Sequence, residues 1–227
     1  LERRLKHETM GTLALVAQDG KRHATGSYYT PENLVRFTVA RALRPVMRNH
    51  LDHLARRFEA ERTGRLKASE LFDELFDLTV VDPAMGSGHF LVTAVDWITD
   101  QLVDFLAAHP SSGVHQELGR VRQTILDEVE AQKVTIDRMQ LTDLNLLRRF
   151  ILKRCIFGVD LNPMAVELAK VSVWLHCFTL GAPLSFLDHH LRRGNSLAGV
   201  TVDEVREASS VRQQSLYDRD NFGSLAK

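Results

Sequence analysis

Apolar positions recur along this chain with two periods, and the change from one to the other marks its architecture. Residues 1–27 show little periodicity and end in the polar run Gly20-Lys21-Arg22-His23-Ala24-Thr25-Gly26, a loop or short hairpin. Thr30-Pro31 then reads as a helix start, with threonine as cap and proline at the first helical position. Leu34, Phe37, Val39 and Leu43 supply the expected buried side of that helix. Pro45 should end or kink it and open another, carried by the stripe Met47, Leu51, Leu54 and Phe58. Ser69 is expected to cap a short helix, Glu70 to Phe76.

From residue 78 the pattern alternates between strands and helices. Leu78-Thr79-Val80-Val81 is a short β-branched run of the kind buried in parallel sheets, and the amphipathic segment Phe90 to Ala108 follows as a helix. His109-Pro110-Ser111-Ser112-Gly113 reads as a loop, and Leu118, Val121, Ile125, Val129 and Gln132 return to helical spacing. Residues 109–150 are therefore expected as a helical insertion, too long for a simple connection. A second strand is expected at Cys155-Ile156-Phe157-Gly158-Val159-Asp160, then a helix capped by Asn162, opened by Pro163 and stopped near Gly181. Leu184 to Leu191 is a connector, and a third strand ends near Arg193-Gly194-Asn195-Ser196-Leu197. The result is α/β with a partial parallel sheet of about three strands. It divides into a mainly helical segment at 1–76, an α/β domain at 77–200 and a polar tail at 201–227.

Composition adds limits. A length of 227 residues allows one well-buried domain, and 44% hydrophobic with 26% charged residues is ordinary for a globular protein in water. The formal net charge is +0, so no global basic field points to nucleic acid, and any such surface must be local or lie outside this chain. The runs Arg36/Arg41/Arg44/Arg48, Arg56-Arg57 and Arg148-Arg149 each read as the solvated face of a helix. Trp97 and Trp174 read as core. Cys155 and Cys177, the only cysteines, have apolar neighbours and no disulfide or metal-ligand spacing, as reduced core thiols of a cytoplasmic protein would. No apolar run reaches membrane-spanning length, and no metal site is expected. The opening on Leu1 suggests a piece of a longer polypeptide.

The chemistry gathers at Asp82-Pro83-Ala84-Met85-Gly86-Ser87-Gly88-His89-Phe90-Leu91, between the first strand and its helix. A strand, a glycine turn and a helix make a nucleotide-binding crossover, because glycines let a ligand approach the backbone and the helix amino end favours an anion. Leu91 stands where the third glycine of the dinucleotide fingerprint would be, and the Gly-Lys-Ser/Thr ending of a phosphate loop is absent. His89 reads as a solvent-facing helix start, and Phe90 and Leu91 as core, with Phe90 also able to wall a pocket. At the next strand end, Asp160 in Gly158-Val159-Asp160-Leu161-Asn162-Pro163 offers two acceptor oxygens suited to paired ribose hydroxyls.

The whole Asp-Pro-Ala-x-Gly-Ser-Gly-x-Phe-Leu string resembles motif I of the amino-methylating DNA methyltransferases, which bind S-adenosyl-L-methionine on a Rossmann-like sheet. Gly26-Ser27-Tyr28-Tyr29-Thr30-Pro31 resembles their motif X, the stretch around Asp160 motif II, and Leu191-Arg192-Arg193-Gly194-Asn195-Ser196-Leu197 motif III. The Gly-Asn-Ser-Leu ending and the helical insertion are most similar to the large adenine-specific methylases of restriction-modification and phage-exclusion systems. The resemblance, over residues 24–200, implies a cofactor site made of Tyr29, Thr30, Pro31, Asp82, Ala84, Gly86, Gly88, Phe90, Asp160, Leu161 and Asn195. In it Asp82 accepts from the ligand ammonium, Asp160 takes the ribose, Leu161 packs on adenine and Asn195 meets its amino edge.

The family's catalytic Asn/Asp/Ser-Pro-Pro-aromatic motif, which orients and activates the target amine, has no counterpart in the sequence. No catalytic residue is therefore assigned, and this chain alone is expected to transfer no methyl group. The expected function is the cofactor-binding part of a site-specific DNA adenine-N6 methyltransferase. DNA would be contacted mostly by parts outside the chain, alongside possible restriction or specificity domains or subunits. Three rivals remain: amino methylation of cytosine, RNA or a protein glutamine; a non-catalytic cofactor-binding protein; and a nucleotide-binding oxidoreductase, which the missing third glycine disfavours.

Overall fold

The computed structural model describes residues 6–8, 12–14, 30–110, 112–131, 142–177 and 184–198. The chain divides into two compact units, Leu1–Arg193 and Gly194–Lys227. The first opens with β1 (Lys6–Glu8) and β2 (Thr12–Ala14), an antiparallel pair. Strands of three residues are too short for alternation to register, so the sequence pattern did not foretell them.

The helix α1 (Glu32–Arg62) runs unbroken through Pro45, where two helices or a kinked one were expected. Val35, Val39, Met47, Leu54 and Phe58 anchor both halves in the core, which offsets the hydrogen bond that a proline nitrogen cannot give. The helix begins one residue later than expected. Pro31 is its cap, its carbonyl accepting from the amides of Leu34 (3.0 Å) and Val35 (3.1 Å), and no side chain caps it. A second correction concerns its faces: Leu34 is 52% and Phe37 67% exposed, and Val35 takes the buried place. Leu34 and Phe37 lie a half-turn from the Val35/Val39/Met47 stripe, so the two sets cannot share one side.

After α2 (Ala68–Glu74), whose cap is Lys67 rather than Ser69, the chain enters β3 (Val80–Asp82). The sheet is parallel in the order β3-β4-β5, with β4 at Ile156–Asp160 and β5 at Leu191–Arg193. Asp82 pairs with Gly158, Gly158 with Leu191, and Asp160 with Arg193. Helix α3 (His89–Ala108) crosses from β3, and α6 (Pro163–His176) from β4; they pack on each other and against β4. Their contact places both on one sheet face, over Ile156, Gly158 and Leu191, all buried. On the other face Val81 is 57% exposed.

Between α3 and β4 lie α4 (Ser112–Ala131), against α2, and α5 (Asp143–Cys155), against α3. Their sequence positions are those of the expected insertion; Gln132 lies outside the described residues. Helix α6 stops at a Cys177 cap, before Gly181, which lies outside the described residues, as does the tail beyond residue 198. A 3-10 turn, Leu184–His189, leads into β5, which ends at Arg193, within the stretch where the sequence places the strand end. No described helix is long and apolar enough to cross a membrane.

Two of the arginines expected as solvated faces are structural, and so is Arg154. Arg57 grips Glu74 in α2 through its Nε (2.7 and 3.0 Å) and Nη2, Arg154 reaches Asp73 (2.7 Å), and Arg148 reaches Asp96 (3.0 Å). Asp96 also meets His176 (2.8 Å), so one carboxylate joins α3, α5 and α6. Both cysteines are buried free thiols, and that burial pushes each pKa up to about 12. The Cys155 thiol donates to the Phe76 carbonyl at 3.4 Å. Trp97 and Trp174 pack partly buried on the core.

Candidate functional site

Chain direction brings the candidate residues together. Parallel strands put their carboxyl ends on one edge, so Asp82, last in β3, and Asp160, last in β4, share that edge. The loop between β3 and α3 folds back over β4. The Met85 amide donates to the Val159 carbonyl (3.1 Å), and the Gly88 amide to the Met85 carbonyl (2.8 Å). Gly86 (φ 55°) and Gly88 (φ 85°) are left-handed, a region that side chains with a Cβ rarely enter. At Gly88 a Cβ would also stand 3.2 Å from Ala169 of α6; at Gly86 it would meet nothing within 4 Å. The first glycine thus faces open space and the second lets two helices approach.

Asp160 is held by this loop. Its Oδ2 accepts from the Gly86 amide and its Oδ1 from the Asn162 amide, each at 2.8 Å. Each oxygen keeps a further lone pair, so the carboxylate is oriented and still able to accept. Asn162 caps α6 as the sequence suggests, its Oδ1 accepting from the Met164 amide at 3.0 Å. Asp82 accepts from the Ala84 amide at 3.0 Å. Burial raises the Asp82 pKa above its ordinary value, the Ala84 amide partly offsets this, and the neighbouring Asp160 charge raises it further. An edge with two carboxylates and an open glycine corner is suited to a ligand that carries both a cation and hydroxyl groups.

Of the other expected site residues, Ala84 is exposed and Leu161 is 63% exposed beside Asp160. Phe90 is partly buried against the core. His89 is the first residue of α3 and half-buried, not the solvent-facing residue expected. Thr30 is half-buried and Pro31 exposed at the start of α1, and among the described residues no hydrogen bond links them to the loop. Tyr29 lies outside the described residues. Asn195 belongs to the second unit, where its Oδ1 accepts from the Leu197 amide at 3.0 Å in a local turn. Among the described residues no cluster of three or more His, Cys, Asp or Glu could hold a metal ion.

Two residues that the sequence reading passed over shape this edge. Met85 is buried, and its sulfur occupies the space that a side chain on Gly158 would need. Arg193 donates from Nε to the Leu161 carbonyl at 3.3 Å, tying the end of β5 to the turn after β4. An apolar residue inside a glycine loop was the available signal for Met85. Nothing in the sequence marked Arg193, because the strand register that pairs it with Asp160 is a tertiary fact.

No family profile matches the chain, and no solved structure does. The chain is similar to a Methanocaldococcus jannaschii protein provisionally named a type II restriction enzyme and methyltransferase. The two are 22% identical over 223 aligned positions, which take in 86% of this chain. The chain spans 16% of the length of that relative.

Proposed function

We propose that this chain is the cofactor-binding part of a site-specific DNA adenine-N6 methyltransferase that uses S-adenosyl-L-methionine. It would serve a restriction-modification or phage-defence system in the cytoplasm. The observation that carries the reading is the Asp160 carboxylate, held by the Gly86 and Asn162 amides at the carboxyl edge of a parallel sheet. The similarity to a restriction enzyme and methyltransferase supports the same class.

The donor set fits the cofactor. Asp160 would take the ribose hydroxyls, and its two amide bonds remove the need to reorient on binding. Asp82 would accept from the ammonium, and a cation there relieves the unfavourable burial of its charge. Gly86 would leave room for the methionine chain, with Ala84 and Phe90 as its walls, while Gly88 keeps the loop close on α6. Leu161 would cover one adenine face, while Tyr29, Thr30 and Pro31 would close over the carboxylate end. When bound, the cofactor supplies an electrophilic sulfonium methyl. Activation of the target amine, most of the DNA contact and any restriction or specificity function fall to residues and subunits other than these.

Calorimetric titration of the protein with adenosylmethionine, its demethylated product and NAD tests the reading. Binding of the first two, weakened by Asp160→Ala, is expected. Binding of NAD alone, or none to folded protein, refutes it. Radiolabelled methyl appearing in adenine of DNA treated with a polypeptide that joins this chain to the catalytic motif is expected. Label in cytosine instead would overturn the adenine assignment.

A further inference from the structure

We propose that the outer face of α1 is a docking strip for the phosphate backbone of duplex DNA, formed by Arg41, Arg44 and Arg48 with Phe37 beside them. The inference rests on the DNA-directed reading above and adds a contact surface within this chain. All four residues are exposed, and at 100° per residue they fall on the side of α1 opposite Val35, Val39, Met47 and Leu54.

The charges are one-sided. From Asn33 to Leu51 there is no Asp or Glu, and Asp52 closes the strip one turn beyond Arg48. Several other arginines differ. Arg36, Arg57, Arg62, Arg120, Arg148 and Arg154 each meet a carboxylate. Arg41, Arg44 and Arg48 form no ion pair among the described residues, although the chain as a whole is neutral.

Spacing favours a phosphate backbone as the occupant. At about 1.5 Å rise per residue, Arg41 to Arg48 covers roughly 10 Å of helix axis. Duplex DNA carries one negative charge about every 1.7 Å of its axis, so a strip of this length faces enough phosphates to engage three cations. The guanidinium fork suits phosphate oxygens better than a point charge does. A strip of this kind gives affinity and orientation without reading sequence.

Fluorescence anisotropy of a labelled duplex, titrated with wild type and with the Arg41→Ala/Arg44→Ala/Arg48→Ala variant at 50 to 200 mM salt, tests this. Each phosphate contact contributes about 0.9 to the salt slope, so the variant should lose about 2.7 of it. Its affinity should then fall roughly 40-fold less than that of wild type across this range. Lys153→Ala, an exposed cation on α5, should leave the slope unchanged. Equal slopes for wild type and the triple variant overturn the proposal. So does tighter binding to anionic lipid vesicles than to the duplex, lost in Phe37→Ala. Adenosylmethionine titration of both proteins separates the two readings: intact cofactor binding with equal slopes sinks only the strip, and absent cofactor binding sinks only the cofactor assignment.

Discussion

The Gly86 amide donates to Asp160 at 2.8 Å across 74 residues of sequence, joining the loop after the first parallel strand to the acid that ends the second. The loop and the acid therefore hold one another in place. A change at either should be felt at the other.

Asp160→Ala removes the acceptor for two backbone amides and for the proposed ribose hydroxyls. Hydrogen bonds to charged groups are worth about 1.5–3 kcal/mol, so adenosylmethionine affinity should fall roughly 10- to 150-fold. Amide hydrogen exchange at Gly86 should accelerate in the same variant. Unchanged affinity by calorimetry would remove the ribose assignment, and unchanged exchange would show that the loop needs no tether.

Asp82 has its pKa raised, by burial first and by Asp160 in addition. The folded state therefore carries its charge less readily than the unfolded chain does. At neutral pH this costs stability; the cost is relieved as pH falls through the folded pKa, because the native protein takes up the proton first. Asp82→Asn keeps an oxygen for the Ala84 amide and should stabilise the fold near pH 7, with the advantage vanishing in acid. Urea midpoints from pH 7 to pH 4 check this, and a constant difference would refute it. The same variant should bind adenosylmethionine more weakly, since it loses the charge that meets the ammonium.

Gly158→Ala tests the packing under the loop. A Cβ at this position would run into the Met85 sulfur and stand 3.0 Å from Leu91 and 3.2 Å from Leu191. Overpacking of this kind costs about 1–3 kcal/mol. A lower urea midpoint at unchanged slope is expected, and Met85→Ala in the same chain should recover part of it. An unshifted midpoint would mean that the strand and loop are farther apart than described.

Asp96 joins three helices through Arg148 and His176. Burial works against its ionisation, but His176 first, then Arg148, outweigh this and hold its pKa below the ordinary range. Asp96→Ala should cost roughly 1–3 kcal/mol, seen in chemical denaturation. Combining it with His176→Ala should cost less than the sum of the single changes; strict additivity would show that the contact carries no energy.

Much of this was legible because it is local. The period change near residue 78, the helix from the glycine loop to Ala108 and the Asn162 cap each follow from a few adjacent residues. The sequence misleads where distant packing decides. Pro45 reads as a break from its own chemistry, yet burial on both sides carries α1 past it. Leu34 and Phe37 read as core from hydrophobicity, while the neighbouring Val35 has the better angular position. Arg148 could not be recognised as a structural cation, since its partner Asp96 lies two helices earlier. The loop-to-acid bond at Gly86 needed strand register, which no single segment contains.

The two buried thiols bracket the β4–α6 crossover, with Cys155 immediately before the strand and Cys177 capping the helix. Their raised pKa and lack of exposure keep the reactive thiolate scarce and shielded for as long as that crossover stays closed. Alkylation of either sulfur therefore has to wait for an opening fluctuation. The protein carries a pair of chemical clocks, one at each end of the unit that positions Asp160, and their rates record how often that unit opens.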